Sequence, residues 1–314
     1  MRHHTEHHID VRAPAEVVYR IIADAASWPQ HFAPTIHVEQ SQVDAKTEQL
    51  VIWATANGTV KNWTSRRELD PGAGRVRFRQ TVSAPPVASM SGEWTVREHG
   101  DGARLTLEHD FSAIDDEAES AEWIRQATDR NSTAELGNIK ALAESWDRLG
   151  ELLFEFDDSV LVRAPLADVY DFFYRAAEWP SRLPHVSRLE LREPVEHVQE
   201  MSMDTSAKDG STHTTESIRL CRTGKDIVYK QTQPPSLMTA HLGRWSFTPE
   251  SDGVRVTSWH RVTINEENIH PVLGPDATVA TAREFVRNAA GGNSRDTLGL
   301  AKAFAESSAE TAHA

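Results

Sequence analysis

Val11-Arg12-Ala13-Pro14, followed by Tyr19 and Trp28-Pro29, returns later in the chain as Val162-Arg163-Ala164-Pro165, followed by Tyr170 and Trp179-Pro180. Each part of the first set recurs after 151 residues. The same offset relates Gln80-Thr81 to Gln231-Thr232, Gly92 and Trp94 to Gly243 and Trp245, and His109 to His260. An offset held over such a distance marks a duplication. The sequence therefore predicts two copies of one domain.

The length of 314 residues agrees with two domains, because domains of about 150 residues are the commonest size. We place them at residues 1–150 and 151–314. Near the end of the second copy, Asn293-Ser294 and Leu298-Gly299 come more than 151 residues after the matching pairs of the first copy. An insertion at residues 265–277 accounts for the delay, and its prolines predict a loop.

The composition excludes several classes of protein. Hydrophobic residues make up 39% of the chain, charged residues 25%, and no apolar run approaches the roughly 20 residues that cross a bilayer. The N-terminal MRHHTEHHIDV has no apolar signal core, and Cys221 is the single cysteine. We therefore expect a cytoplasmic protein without a disulfide. A net charge of -14 argues against partnership with nucleic acid or an anionic membrane.

Periodicity gives the order of elements in each copy. A strand at residues 9–11 leads through Pro14 into a helix at residues 15–25. Five segments with period-two patterning follow, at residues 49–55, 59–69, 75–82, 90–96 and 105–111. Leu136, Ile139, Ala143 and Trp146 then mark a long amphipathic helix. This order predicts an α+β fold, in which a curved antiparallel sheet wraps a C-terminal helix and encloses a pocket.

Because alternate side chains of a strand point to opposite faces, the strands separate into an inner and an outer set. Arg75, Arg77 and Arg79 fall on the outer face. Val82 falls on the inward side of its strand, and the inner wall of the first copy holds Trp63, Ser65, Arg67, Gln80, Met90, Trp94 and His109. A buried arginine needs a partner or water. Either Arg67 faces a hydrated, ligand-ready pocket, or it pairs with a helix carboxylate such as Glu135; His109 is either a proton-transfer group or a satisfied core residue.

The constant offset assigns an inner wall to the second copy as well. It consists of Thr214, Glu216, Ile218, Gln231, His241, Trp245 and His260. A carboxylate with two histidines serves either acid–base chemistry or a structural hydrogen-bond network, and both interpretations stay open here. His3, His4, His7 and His8 precede the first predicted strand, in a terminus that we expect to be frayed, and lack a carboxylate cluster. We predict neither a metal nor a cofactor.

The motifs resemble a known family. The Ala-Pro segment with its following tyrosine and Trp-Pro pair, the strand Trp63-Thr64-Ser65-Arg66-Arg67, and Met90 four residues before Trp94 look like the aromatase/cyclases of bacterial type II polyketide synthases, in their di-domain form. The resemblance implies tandem helix-grip domains of the START or Bet v 1 type. It also implies a deep pocket for a poly-β-ketone tethered to an acyl carrier protein. The family's basic pocket residue falls here near Gln80 or Thr81, and an aromatic residue of the family is replaced around Thr35.

What the resemblance implies about the site is an intramolecular aldol condensation followed by loss of water, on a chain already reduced at one ketone. Arg67 would stabilise the enolate, Ser65 would orient a carbonyl, and His109 would transfer protons. The substrate-binding residues would be Trp28, Phe32, Trp63, Gln80, Met90 and Trp94, with Trp179, Glu216, His241, Trp245 and His260 as candidates in the second pocket.

Two other functions of the same fold are a non-catalytic carrier of hydrophobic ligands and a co-chaperone or interaction module. The polarity of the inner wall, and Arg67 above all, argues against the carrier. An acidic acyl carrier protein would need a local basic patch on this acidic chain. Arg66 with Arg75, Arg77 and Arg79 is the candidate, against the simpler interpretation of a solvated strand face.

Overall fold

The computed structural model describes residues 1–56, 58–206 and 212–312. The chain divides into two compact units, Met1–Leu149 and Gly150–Ala314. Each unit contains one seven-stranded antiparallel sheet and one long C-terminal helical segment. Within the described ranges, none of the helices combines the length and the apolar character that crossing a membrane requires.

The first sheet is a meander in which the first strand closes onto the last. Its order across the sheet is β1-β7-β6-β5-β4-β3-β2. The strands are β1 His3–Val11, β2 Thr35–Gln42, β3 Thr47–Ala56, β4 Thr59–Asp70, β5 Arg75–Val82, β6 Val87–His99 and β7 Gly102–Ala113. The helices are α1 Ala15–Ala23, α2 Trp28–His31, α3 Ala118–Glu144 and α4 Trp146–Leu152.

The long helix α3 lies against β1 and β7 and buries one face. The buried positions recur at helical spacing: Ala121, Ile124, Thr128, Ser132, Leu136, Ile139 and Ala143. The apolar members pack against the sheet, as an amphipathic helix requires. The predicted long helix therefore exists, but it stops at Ser145 before α4 begins.

The second unit repeats this order. Its sheet runs β8-β14-β13-β12-β11-β10-β9. The strands are β8 Leu153–Val162, β9 Val186–Val195, β10 Val198–Ser206, β11 Thr212–Arg222, β12 Asp226–Gln233, β13 Met238–Glu250 and β14 Gly253–Ile264. The helices are α5 Leu166–Tyr174, α6 Trp179–Arg182, α7 Ile269–Leu273 and α8 Val279–Ala312.

Four predictions from the sequence need correction here. The first strand begins at His3 rather than residue 9, because the histidine-rich segment is not frayed but pairs along its length with β7. Strand β2 was not predicted, since its pattern ends in exposed polar residues. The insertion at residues 265–277 is not a plain loop, because it contains α7. Val82 is 63% exposed, since it lies at the end of β5 beyond the curved core.

Two glycines show how tightly the inner faces pack. Gly92 and Gly243 occupy equivalent positions on β6 and β13. A Cβ atom on Gly243 would lie 2.0 Å from the Tyr229 ring, and one on Gly92 would lie 2.1 Å from the Glu108 carbonyl oxygen and 2.5 Å from the Phe78 ring. The aromatic ring of the neighbouring strand lies where a side chain would otherwise project. The repeated glycine therefore makes room for an inner-wall aromatic residue.

Candidate active site

Arg67 is a buried polar side chain of the first unit, with 3% of its surface exposed. Its Nε donates to Glu48 Oε1 at 2.7 Å, and its Nη2 also contacts that oxygen. Its Nη1 donates to the Ile22 carbonyl at 2.8 Å and its Nη2 to the Ala23 carbonyl at 2.7 Å, at the end of α1. Burial lowers the pKa of Arg67, whereas the Glu48 carboxylate opposes this shift. The guanidinium lies 5.0 Å above the Trp28 ring.

The structure thus separates the two interpretations of Arg67. The side chain is ion-paired, but its partner is Glu48 on the adjacent strand β3 and not Glu135 on the long helix. A guanidinium carries five N–H groups, and four of them are used in these contacts. Arg67 therefore fastens α1 to the sheet and keeps one Nη1 N–H that the described residues leave unassigned.

The other predicted residues of the first pocket fall into neighbouring clusters. Trp94 and Phe32 are buried in the main core, and Trp28 links that core to a second cluster that includes Trp63. Met90 packs in a third cluster, beside Phe111 and the start of α3. The residues expected to form one apolar wall are therefore divided among three clusters, and their role in binding a substrate stays a prediction.

Ser65 and Gln80 lie opposite one another on β4 and β5. Ser65 is buried, and its hydroxyl donates to the backbone carbonyl of Arg79 at 3.3 Å. Gln80 is half-buried. Since the Ser65 proton is already engaged with the backbone, this hydroxyl can offer a lone pair to a ligand more readily than its proton.

His109 is held neutral inside the first unit. Burial lowers its pKa to about 4, and its Nδ1 atom has no hydrogen-bond partner among the residues described. Its ring meets Phe78 edge-on at 5.4 Å between centroids. Ser132 on α3, which sequence reasoning missed, also has a buried hydroxyl that the described part of the chain leaves without a partner. A neutral imidazole with an open nitrogen is suited to take up a proton.

The equivalent groups of the second unit are bonded to one another. His260 Nε2 contacts Ser294 Oγ at 2.8 Å, and His260 Nδ1 contacts His241 Nε2 at 2.8 Å. His241 Nδ1 in turn contacts Gln231 Oε1 at 2.8 Å, and Ser258 lies 3.0 Å from His260 Nε2. Burial lowers the pKa of His260 to about 4 and that of His241 well below its usual value. The two imidazoles therefore form a neutral, directional hydrogen-bond chain.

One register prediction for the second unit is wrong. On β11 the inner residues are Thr215, Ser217 and Arg219, and not the predicted Thr214, Glu216 and Ile218. Thr214 and Glu216 are exposed. The offset between the copies is 152 residues along this strand, because one residue is added before it. The turn after the strand is one residue shorter than in the first copy, which returns the offset to 151. Glu216 therefore does not join His241 and His260, and Ser217-Ile218-Arg219 preserves the serine and arginine of the first copy.

Arg219 repeats the placement of Arg67. It is 1% exposed, donates from Nη2 to the Phe173 carbonyl, and lies 5.1 Å over the Trp179 ring. Trp179 and Trp245 are both buried in the main core of the unit. Gln199 on β10 stands opposite Arg219, where the first unit has Glu48. The second arginine therefore lacks the carboxylate that neutralises the first.

A cleft of about 430 Å³ opens in the second unit between the segment before β9 and helix α8. It is lined by Pro184, His185, Arg295, Asp296, Gly299 and Leu300. Leu183, the neighbour of Pro184 in sequence, packs in the same core cluster as Trp179, and Leu300 packs against that cluster. The cleft therefore borders the main core cluster of the second unit.

The arginines of the predicted basic patch are largely balanced by acidic neighbours. Arg77 Nε contacts Glu93 at 2.6 Å, and Arg75 contacts Asp70 at 3.1 Å. Arg66 lies 4.0 Å from Asp44. With these charges paired, the outer face of β4 and β5 resembles the solvated strand face that the sequence also allowed.

Fold and site together define a class: two helix-grip domains, each with a buried guanidinium over a tryptophan. The inner face of the sheet carries one neutral imidazole, His109, in the first unit and two, His241 and His260, in the second. The family model described as polyketide cyclase / dehydrase and lipid transport matches residues 2–144 and 154–306. The chain belongs to this family, which confirms the resemblance found in the sequence.

Similar proteins extend this result. The chain is 44% identical to the actinorhodin polyketide synthase bifunctional cyclase/dehydratase of Streptomyces coelicolor, over 96% of this chain and 97% of the relative. It is similar to the crystal structure of the di-domain ARO/CYC BexL from the BE-7585A biosynthetic pathway, with 50% identity, a TM-score of 0.89 and coverage of 97% and 99%. The di-domain ARO/CYC StfQ from the steffimycin pathway gives 34% identity, a TM-score of 0.86 and coverage of 98% and 99%. These structures confirm the predicted α+β tandem helix-grip fold.

Proposed function

We propose that this chain is a polyketide aromatase/cyclase that closes and aromatises the first ring of a ketoreduced poly-β-ketone bound to an acyl carrier protein. The observation that carries the proposal is the presence, on the inner face of the first sheet, of both a fixed guanidinium and a neutral imidazole that has an open nitrogen. Relatives named bifunctional cyclase/dehydratase and di-domain ARO/CYC support it.

The chemistry needs proton transfer and control of conformation, with no redox step. A base removes a proton from a carbon between two carbonyls, and the enolate carbon attacks a ketone further along the chain. The resulting alkoxide gains a proton, and water then leaves to form the ring double bond. Loss of the hydroxyl made by ketoreduction, again as water, and enolisation of the remaining ketones complete the aromatic ring.

The residues of the first unit take distinct roles in this proposal. Neutral His109 accepts the proton and returns it to the departing oxygen. Arg67 gives its remaining Nη1 N–H to the enolate oxygen, and Ser65 accepts a hydrogen bond from an enol. Trp28, Phe32, Trp63, Met90 and Trp94 form apolar walls that favour one folded conformer of the substrate.

The test is product profiling by liquid chromatography and mass spectrometry in a reconstituted polyketide synthase with a ketoreductase. The arms are no added protein, wild type, His109→Asn, and His213→Asn as a matched substitution of an exposed histidine. We expect wild type and His213→Asn to convert shunt products into one aromatised first ring, and His109→Asn to lose at least about 10-fold of that conversion. A wild-type profile equal to the no-protein arm would favour the ligand carrier instead.

A further inference from the structure

The second unit contains a buried cation, Arg219, that forms no ion pair with the residues the structure describes. Arg219 Nη2 donates to the Phe173 carbonyl, but Nε and Nη1 have no hydrogen-bond partner within the part of the chain that the structure describes. An unpaired buried charge costs several kcal/mol, and buried donors in native proteins are nearly always satisfied. Something outside the described protein atoms must therefore complete this site.

Acceptors near Arg219 are likewise unsatisfied. The Ser217 hydroxyl, on the same inner face of β11, and Gln199 Oε1, on the opposite strand, are both buried without a partner among the described residues. Gln199 is turned away, since its amide nitrogen donates to the Tyr174 carbonyl at 3.2 Å and to Glu193 at 3.1 Å. A set of open donors and acceptors around one cation is the arrangement expected of a polar ligand site.

The surrounding titratable groups do not neutralise Arg219. Burial raises the pKa of Cys221 to about 11, and it raises the pKa values of Tyr170 and Tyr229 as well, so all three remain uncharged at neutral pH. Glu193 bonds to Gln199, Tyr174 and His197 and not to the guanidinium, so it raises the pKa of Arg219 only through space, against the larger lowering by burial. In the first unit, by contrast, Glu48 occupies the side of Arg67 that Arg219 leaves open.

We propose that Arg219 and Ser217 form a second oxyanion site, which binds the enolate oxygen of a β-diketone unit of the polyketide, and that Gln199 keeps the site open. This inference rests on the proposed function and assigns the site to the second unit, with Trp179 beneath the guanidinium. The arginine of the first unit, paired with Glu48, offers a ligand only its remaining Nη1 N–H.

The decisive variant moves a carboxylate without changing the net charge. In Gln199→Glu combined with Glu193→Gln, the carboxylate faces Arg219 as Glu48 faces Arg67, and the amide at position 193 can still donate to it. Single Glu193→Gln is the control, because it removes the same charge without supplying a counter-ion. Thermal unfolding measured by calorimetry establishes that each variant is folded.

The probe is acetylacetone, titrated calorimetrically into the full chain at alkaline pH, where its enolate is populated. We expect binding to wild type and to Glu193→Gln, and binding at least about 10-fold weaker to the double variant. Failure of wild type to bind the probe, or equal affinity of the double variant, would overturn the inference. Equal binding of acetate would overturn the assignment to an enolate and leave a general anion site.

The reconstituted synthase separates this inference from the proposed function. If wild type produces the aromatised ring and the folded double variant does so equally well, the function stands and the second oxyanion site is wrong. If wild type gives only the products of the no-protein arm, the cyclase proposal fails, whereas the acetylacetone titration still decides the binding site.

Discussion

Glu48 and Gln199 occupy equivalent positions, each directly across from a buried arginine on the neighbouring strand. The carboxylate closes the first site by taking Nε and Nη2 of Arg67, whereas the amide leaves two nitrogen atoms of Arg219 open. The histidines show the opposite distribution. His109 has an open nitrogen, whereas His260 is bonded on both sides. The two units thus differ in which group keeps nitrogen atoms without a partner among the described residues: the histidine in the first unit and the arginine in the second.

Removing the carboxylate of the first site should destabilise the first unit. Glu48→Gln leaves Arg67 as a buried cation with only neutral partners, and we expect a loss of about 2 kcal/mol in the free energy of unfolding. Denaturant unfolding followed by tryptophan fluorescence measures this loss. An exposed carboxylate, Glu16→Gln, is the control and should change stability by less than about 0.5 kcal/mol. A Glu48→Gln variant as stable as wild type would show that the ion pair does not hold α1.

Stability should fall in mild acid because buried histidines resist protonation. The pKa of His109 is about 4 in the folded chain against 6.5 for the free side chain, so the unfolded chain takes up its proton first. The contribution of neutral His109 to the free energy of unfolding is therefore complete above pH 6.5 and is lost progressively as the pH falls towards 4. It amounts to about 3 kcal/mol. Calorimetry across this range should show a shallower pH dependence for His109→Asn than for wild type; parallel curves would contradict the assignment.

The histidine chain of the second unit should tolerate loss of His241 poorly. His241→Met introduces the residue found at the equivalent position of the first unit and strands His260 Nδ1 and Gln231 Oε1 without their partner. We expect a cost of about 1–3 kcal/mol in the free energy of unfolding of this unit. At the equivalent position of the first unit, Met90→Leu is a volume-conserving control and should cost less than about 1.5 kcal/mol. Equal thermal transitions of His241→Met and wild type would contradict the chain's structural role.

Gly243 should be replaceable only when Tyr229 is shortened. A methyl group at position 243 would overlap the Tyr229 ring, so Gly243→Ala should cost more than about 2 kcal/mol. In the double variant with Tyr229→Ala, the clash is absent, and the two costs should be far from additive. A double-mutant cycle from urea unfolding measures the coupling. Additive costs would mean that the backbone, rather than the ring, demands glycine.

Strand alternation in the sequence was sufficient to place Ser65, Arg67 and His109 on the inner face, because burial alternates along these parts of β4 and β7 in spite of the register shift between Thr64 and Ser65. It failed on β11, where a constant offset put Glu216 inside. A shift of one residue exchanges the two faces of a strand. Aligning Ser217 and Arg219 with Ser65 and Arg67 would have revealed the shift, since the spacing of the pair is preserved.

Glu48 could also have been found in the sequence. It shares a face of β3 with Leu50, Ile52 and Ala54, and a carboxylate on an otherwise apolar face signals a buried partner. The bond between His241 and His260 was less accessible to prediction. It depends on the distance between side chains on adjacent strands, which periodicity alone does not give.

The one-residue shift on β11 has a practical consequence for building hybrids of the two units. An exchange of segments that includes both the connection before this strand and the turn after it keeps the arginine inside. A junction between those two places would leave the strand out of phase and turn the guanidinium towards solvent. The strand and its two flanking connections should therefore be exchanged together. A hybrid built with one constant offset of 151 residues would place the wrong face of the strand inside.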